Sequence, residues 1–311
     1  MNKEATREAY GKALVELGRL HENVVVLDAD LSKSTKTADF AKAYPDRFFN
    51  AGIAEQNMIG MSAGLATTGK VVFASSFAVF ATGRAFEQIR NSIAYANLNV
   101  KICATHAGVT VGEDGGSHQA IEDLALMRSV PNMTVIVPAD GICTREAVRE
   151  IYKYPGPVYL RLGRSAVPTI YNHGLKFEVG KGIELVQGKD LTIIACGIMV
   201  ERALRAAEEL AREGIFASVV DMPTIKPIDQ ELIIEKARQT RAILTVEEHS
   251  VIGGLGSAVC EVVCENLPVP VKRIGINDVF GQSGSPEELL KHYGLSVDNI
   301  RQNALSLLKI K

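Results

Sequence analysis

Short β-branched runs recur along the chain with amphipathic stretches between them. Val24 to Leu27, Val71 to Phe73, Val100 to Ala104, Thr134 to Val137 and Val158 to Leu160 form one series. Leu191 to Ala195, Ala217 to Val220, Ala242 to Val246 and Val271 to Ile274 form a second. Apolar runs separated by helix-length segments predict βαβ units and mostly parallel sheets covered on both faces. The fold class expected is therefore α/β, in two domains, each a mostly parallel sheet flanked by helices. Pro168, Asn172 and Gly174 break the helical pattern between the two series, which sets a first domain at 1–166, a linker at 167–188 and a second domain at 189–311.

Three segments of the first series carry candidate chemistry. Gln56 to Ala66 mixes small and apolar residues and predicts a helix buried nearly all round, with Glu55 at its positive end. A carboxylate in that position is common without any function. Lys70 to Phe80 reads as a strand, a turn and the start of a helix on which Phe77 and Phe80 share a face, an arrangement ordinarily found in a core. Thr105-His106-Ala107-Gly108 follows a strand, and Gly112-Glu113-Asp114-Gly115-Gly116-Ser117-His118 comes just after it. Loops at the carboxyl ends of strands are where α/β folds build ligand sites. The two glycines between Asp114 and His118 argue against helical spacing, so the loop is expected to project both side chains toward a ligand; turn residues and a helix start before Ile121 are the plainer reading.

Composition narrows the picture. A length of 311 residues with 47% apolar content suffices for two cores. Lys and Arg total 34 against 36 Asp and Glu, a net charge of -2, so no global field draws the chain to nucleic acid or an anionic membrane, and phosphate recognition must be local. The five cysteines, Cys103, Cys143, Cys196, Cys260 and Cys264, are odd in number and spread out, which suits buried thiols in a reducing cytoplasm. Cys260 and Cys264 have helical spacing, but no nearby His or Cys completes a metal shell. No stretch approaches the ~20 apolar residues of a membrane span, and no apolar run follows the opening residues. The location expected is cytoplasmic.

Gly52-Ile53-Ala54-Glu55-Gln56-Asn57-Met58 and Gly112-Glu113-Asp114-Gly115-Gly116-Ser117-His118-Gln119 together resemble the pyrimidine-binding domain of transketolases. These are thiamine diphosphate enzymes that move two-carbon ketol units between sugar phosphates, and the resemblance covers nearly all of the chain. It implies that Glu55 contacts N1′ of the cofactor's aminopyrimidine and shares a proton there. Phe80 matches the ring that stacks on the pyrimidine, with Phe77 lining the same pocket. Gly83 stands where many transketolases have another aromatic, and Phe86 is the candidate to fill that space. On the substrate side, the resemblance implies that His106 and His118 contact the donor's oxygens and help move protons, and that Asp114 binds a sugar hydroxyl. Arg7, Ser34 and Arg164 match the family's phosphate contacts.

The half of a transketolase that grips the diphosphate and its metal has no match in this sequence. Glu113-Asp114-Gly115 is not the metal motif of that half, because Asn132 lies too near to be its asparagine ligand, and no metal site is assigned. The resemblance thus implies a partner subunit with the diphosphate-binding domain and Mg2+ or another divalent ion, active sites at subunit interfaces, and an α2β2 assembly in which this chain also homodimerises. Deoxyxylulose phosphate synthases share the Asp-Gly-x-x-His theme but differ from Gln119-Ala120-Ile121-Glu122-Asp123. The beta subunits of 2-oxo acid dehydrogenases share the layout, but their substrates lack phosphate. A non-catalytic interaction protein would have no use for Glu55, His106, Asp114 and His118 together. Gly253-Gly254-Leu255-Gly256 lacks the spacing of a dinucleotide loop, so the second domain is expected mainly to support assembly, with His249 and His292 unassigned.

Overall fold

The computed structural model describes residues 2–172 and 174–311. Its strands, in chain order, are β1 (Lys3–Ala5), β2 (Val24–Asp28), β3 (Phe48–Asn50), β4 (Val71–Phe77), β5 (Val100–Thr105), β6 (Thr134–Ile136), β7 (Val158–Arg161), β8 (Ala166–Pro168), β9 (Ile183–Val186), β10 (Leu191–Ala195), β11 (Ala217–Asp221), β12 (Thr224–Lys226), β13 (Ile243–Ser250) and β14 (Val271–Ile276). A first sheet has the order β12-β6-β7-β5-β4-β2-β3 and a second the order β14-β13-β10-β11-β9. Pairing within these two sheets is parallel except where β12 meets β6 and β9 meets β11. Every residue of β2, β4 and β5 is buried, which is why these runs lack polar alternation: helices cover both faces.

Three local readings change. β12 falls in the stretch assigned to the second domain, yet it closes the edge of the first sheet, covering the short strand β6 that would otherwise present unpaired backbone. The stretch read as linker is structured at both ends. Ala166–Pro168 pairs antiparallel with Lys3–Ala5, and Ile183–Val186 joins the second sheet; His173, within the same stretch, lies outside the described residues. The helix Glu55–Ala66 is not buried all round, because Gln56, Asn57, Gly60 and Gly64 face outward. A Cβ added at Gly60 or Gly64 would meet nothing within 4 Å, so these glycines mark an open face rather than close packing.

An apolar cluster runs without a break from Tyr10 and Phe73 through Leu162 and Tyr171 to Leu191 and Val219, so the two sheets share a core. No helix among the described residues is long and apolar enough to cross a membrane. From β2 the chain passes to β3 on one side and then crosses back to β4 on the other. This reversal is a topological switch point, and in open α/β sheets the crevice at the carboxyl ends of such strands is where ligands bind. Glu55, Phe77, His106 and Arg164 lie at or just beyond the carboxyl ends of β3, β4, β5 and β7.

Candidate active site

Glu55 is the first residue of its helix, and its side chain is only 5% exposed. Both carboxylate oxygens accept from Arg84 Nη1, at 3.3 and 3.4 Å. The Arg84 guanidinium lies 4.2 Å from the centre of the Phe80 ring, so one cation serves a carboxylate and an aromatic face at once. Arg84 was not among the expected site residues. Its signal was present in the sequence as an arginine four positions after an aromatic, the spacing that places two side chains on one helical face. Gly83 is exposed with open space around it, and Phe86, partly buried, packs against the apolar cluster, while Arg84 lies against Phe80.

Phe77 and Phe80 do meet, though not on one helical face. Phe77 ends β4, and Phe80 opens a widened π-helical stretch, Phe80–Arg84, of a kind often found at functional sites. Their rings are 5.8 Å apart and nearly parallel. Phe77 stacks on His106 at 3.8 Å, and the edge of His118 meets Phe80 at 5.3 Å. His106 has φ +57°, a left-handed backbone unusual for a residue with a side chain and costing about 1–3 kcal/mol. The following amides hold it there: Ala107 N–H donates to the Leu162 carbonyl at 3.2 Å and Gly108 N–H to Ala120 at 2.8 Å. Burial, and then the charges of Arg7, Arg164 and His118, hold the His106 imidazole down to about 3. It is therefore a neutral hydrogen-bonding group at physiological pH and does not exchange its charge near pH 7.

Arg7 Nη1 donates to the Ser34 carbonyl at 2.8 Å, while its buried Nε has no partner. Burial and the nearby Arg164 pull Arg7 below its ordinary value, against the opposing charge of Glu8. Arg164 donates to the Val111 carbonyl and reaches Glu113 at 3.4 Å and Asp114 at 3.8 Å. Asp114 ends a short 3-10 stretch, Val109–Asp114, that is broken at Gly112, with His118 just beyond it, and Asp114 is exposed. The structure thus gathers Glu55, Arg84, Phe80, His118, Phe77 and His106 into one strip, with the two arginines, Ser34 and Asp114 at its far end. A buried carboxylate beside aromatic faces suits an aminopyrimidine. Among the described residues, no group of three or more His, Cys, Asp or Glu is placed to hold a metal.

A buried polar network links the first domain to the second beneath the site's loops. Arg161 and Asp123 form a buried bidentate pair at 2.7 and 3.0 Å, joined by the Tyr159 hydroxyl, and Arg161 also donates to the Glu248 carbonyl. His249 Nε2 accepts from the Leu124 and Ala125 amides, while Nδ1 donates to the Ser250 carbonyl. Glu247 accepts from the Leu255 and Gly256 amides at 2.7 and 2.8 Å. An internal carboxylate thus fills the helix end at Gly253-Gly254-Leu255-Gly256 where a nucleotide phosphate would sit.

A parallel sheet with a buried carboxylate, stacked phenylalanines and two histidines beyond the carboxyl ends of its strands has the form of a ligand-binding α/β domain, and comparison with known proteins identifies the family. The chain belongs to the transketolase family, matching "Transketolase, pyrimidine binding domain" over residues 2–169 and "Transketolase, C-terminal domain" over 180–300. A Methanocaldococcus jannaschii protein described as a transketolase C-terminal section is 59% identical over 306 residues, 97% of this chain and 96% of that protein. One of the subunits of the apulose-4-phosphate transketolase of Phocaeicola vulgatus is 43% identical, covering 99% of both chains. A solved structure described as "Split gene transketolase, inactive beta4 tetramer" superposes with a TM-score of 0.92 at 59% identity over the whole of both chains.

Proposed function

We propose that this chain is the pyrimidine-binding subunit of a split transketolase, working with a partner subunit that carries the N-terminal diphosphate-binding domain and Mg2+ or another divalent ion. The observation that carries this reading is the single strip from Glu55 to Arg164, which sets a buried carboxylate, aromatic faces, imidazoles and paired guanidiniums in one order along a crevice. Relatives that are themselves transketolase subunits support the partner, and a relative described as an inactive beta4 tetramer supports dependence on it. The assembly is α2β2, with two copies of this chain, in the cytoplasm.

Thiamine diphosphate, when bound, supplies the carbon nucleophile that carries a two-carbon unit. Glu55 would hold a proton at the ring nitrogen N1′ of the aminopyrimidine, with Phe77 and Phe80 orienting the ring by stacking. For that, Arg84 must release the carboxylate or share it. His106, kept neutral, hydrogen-bonds a sugar oxygen, while His118 moves a proton at the hydroxyl beside the bond that breaks. Asp114 accepts from a sugar hydroxyl. Arg7 and Arg164 bind the phosphate of the ketose donor or aldose acceptor with Ser34.

The test is to purify the chain under native conditions, identify by mass what accompanies it, and assay the complex with a ketose phosphate donor and an aldose phosphate acceptor. Transfer by the complex and not by the chain alone is expected. Turnover of a 2-oxo acid with no use of ketose phosphate would replace the reading with another thiamine carboligase. A chain that recruits no diphosphate-binding partner and never transfers would leave a non-catalytic interaction protein.

A further inference from the structure

The loop that carries Asp114 and His118 is held from two sides. On the first domain's side, the Ser165 hydroxyl donates to the Thr110 carbonyl at 3.1 Å and Arg164 to the Val111 carbonyl. The other side comes from more than a hundred residues away. Glu248 is 5% exposed at the carboxyl end of β13, and its Oε1 accepts the Thr110 N–H at 2.6 Å. The Ser283 hydroxyl donates to the Glu113 carbonyl at 2.7 Å. The fit is close. Gly108 has φ +80°, and any Cβ there would collide with the Glu248 carboxyl; a Cβ at Gly116 would come within 2.6 Å of the Gly281 carbonyl oxygen. Glu248 does not hang free, since Arg161 Nη2 grips its main-chain carbonyl at 3.0 Å while holding Asp123.

We propose that Glu248 and Ser283 are positioning residues through which the second domain clamps the Val109–His118 loop and so sets Asp114 and His118 against the substrate. The second domain is then a working jaw of the site as well as an aid to assembly. Neither residue touches the reacting atoms. They act by fixing two loop backbone groups, and reacting groups displaced by about 1 Å lose rate on the order of a hundredfold. The clamp rests on the ketol-transfer reading only for its catalytic consequence; its mechanical part stands on the geometry.

Glu248→Ala, Glu248→Gln and Ser283→Ala in the complex with the partner subunit test it, assayed at about pH 8 so that Glu248, lifted to about 7 by burial, is ionised. Glu248→Ala is expected to lower kcat about 10- to 100-fold with cofactor affinity unchanged. Glu248→Gln, whose amide oxygen still accepts the Thr110 N–H, restores most of the rate. Hydrogen exchange of the peptide over 109–118 should quicken in the alanine variants and not in the glutamine one, with β4 unchanged. Ser283 lies on an exposed loop, so its variant folds whatever Glu248→Ala does, and its kcat should fall severalfold. Wild-type kcat and wild-type loop exchange in Ser283→Ala, or a Glu248→Gln variant as slow as Glu248→Ala, overturns the clamp. A wild-type complex without ketol transfer refutes the functional reading instead, and loop exchange then decides the clamp alone.

Discussion

Replacing Glu55 by Gln separates a proton-carrying carboxyl from a charge that merely suits a helix end. The side chain keeps its size and its place at the start of Glu55–Ala66, so the pocket stays filled. Two stabilising effects go. The pair with Arg84 is long, at 3.3 Å, and the arginine side chain is 54% exposed, so its loss costs at most about 1 kcal/mol. The negative charge at the helix's positive end contributes about 0.3–1 kcal/mol more. Denaturant unfolding should therefore move by no more than roughly 2 kcal/mol. Ketol transfer should fall much further, by about 10²- to 10⁴-fold, because an amide cannot hold and return a proton. That loss corresponds to roughly 3–5 kcal/mol of barrier. The assay is kcat of the complex at saturating cofactor, beside cofactor affinity and unfolding of the same preparation. A loss of less than about tenfold with cofactor fully bound would refute the reasoning and leave Glu55 as a helix-end charge.

Arg164→Ala should raise the donor's KM by about 10- to 100-fold, the worth of a charge-assisted contact to phosphate, and lower kcat less, since the phosphate is remote from the reacting carbon; a kcat loss with unchanged KM contradicts the assignment. Asp123→Ala strands the buried Arg161 charge and should cost about 3–5 kcal/mol in urea unfolding, whereas a cost below about 1 kcal/mol would mean that the pair does not anchor the fold. Burial lifts Asp221 to about 7, so between about pH 4 and 7 the folded chain keeps a proton the unfolded chain has released. Stability from this group is full below that window and is lost as pH rises through it. In Asp221→Asn, which keeps an acceptor for the Tyr171 hydroxyl, unfolding midpoints at about pH 5 and pH 8 should draw together, and an unchanged gap would place the dependence elsewhere.

The sequence by itself determined the α/β class, the two series of strands and the loops that border the crevice. Those features are local: a strand buried on both faces must read as an unbroken apolar run, and a loop needing left-handed backbone at Gly112 and Gly115 favours glycine there. The resemblance supplied roles that spacing could not, since a carboxylate at a helix start and two nearby phenylalanines look alike in a core and in a pocket. Tertiary structure decided what depends on segments distant in the chain. Nothing near Thr224 announces that it will edge the first sheet, and nothing in Glu247-Glu248-His249 announces that its three side chains reach three different partners. Arg84, not Phe86, lies beside Phe80, because Phe86 packs partly buried against the apolar cluster. Charge state was equally beyond the sequence: His106 is kept neutral by burial and by arginines drawn from opposite ends of the domain, a field that exists only once the sheet has brought those ends together.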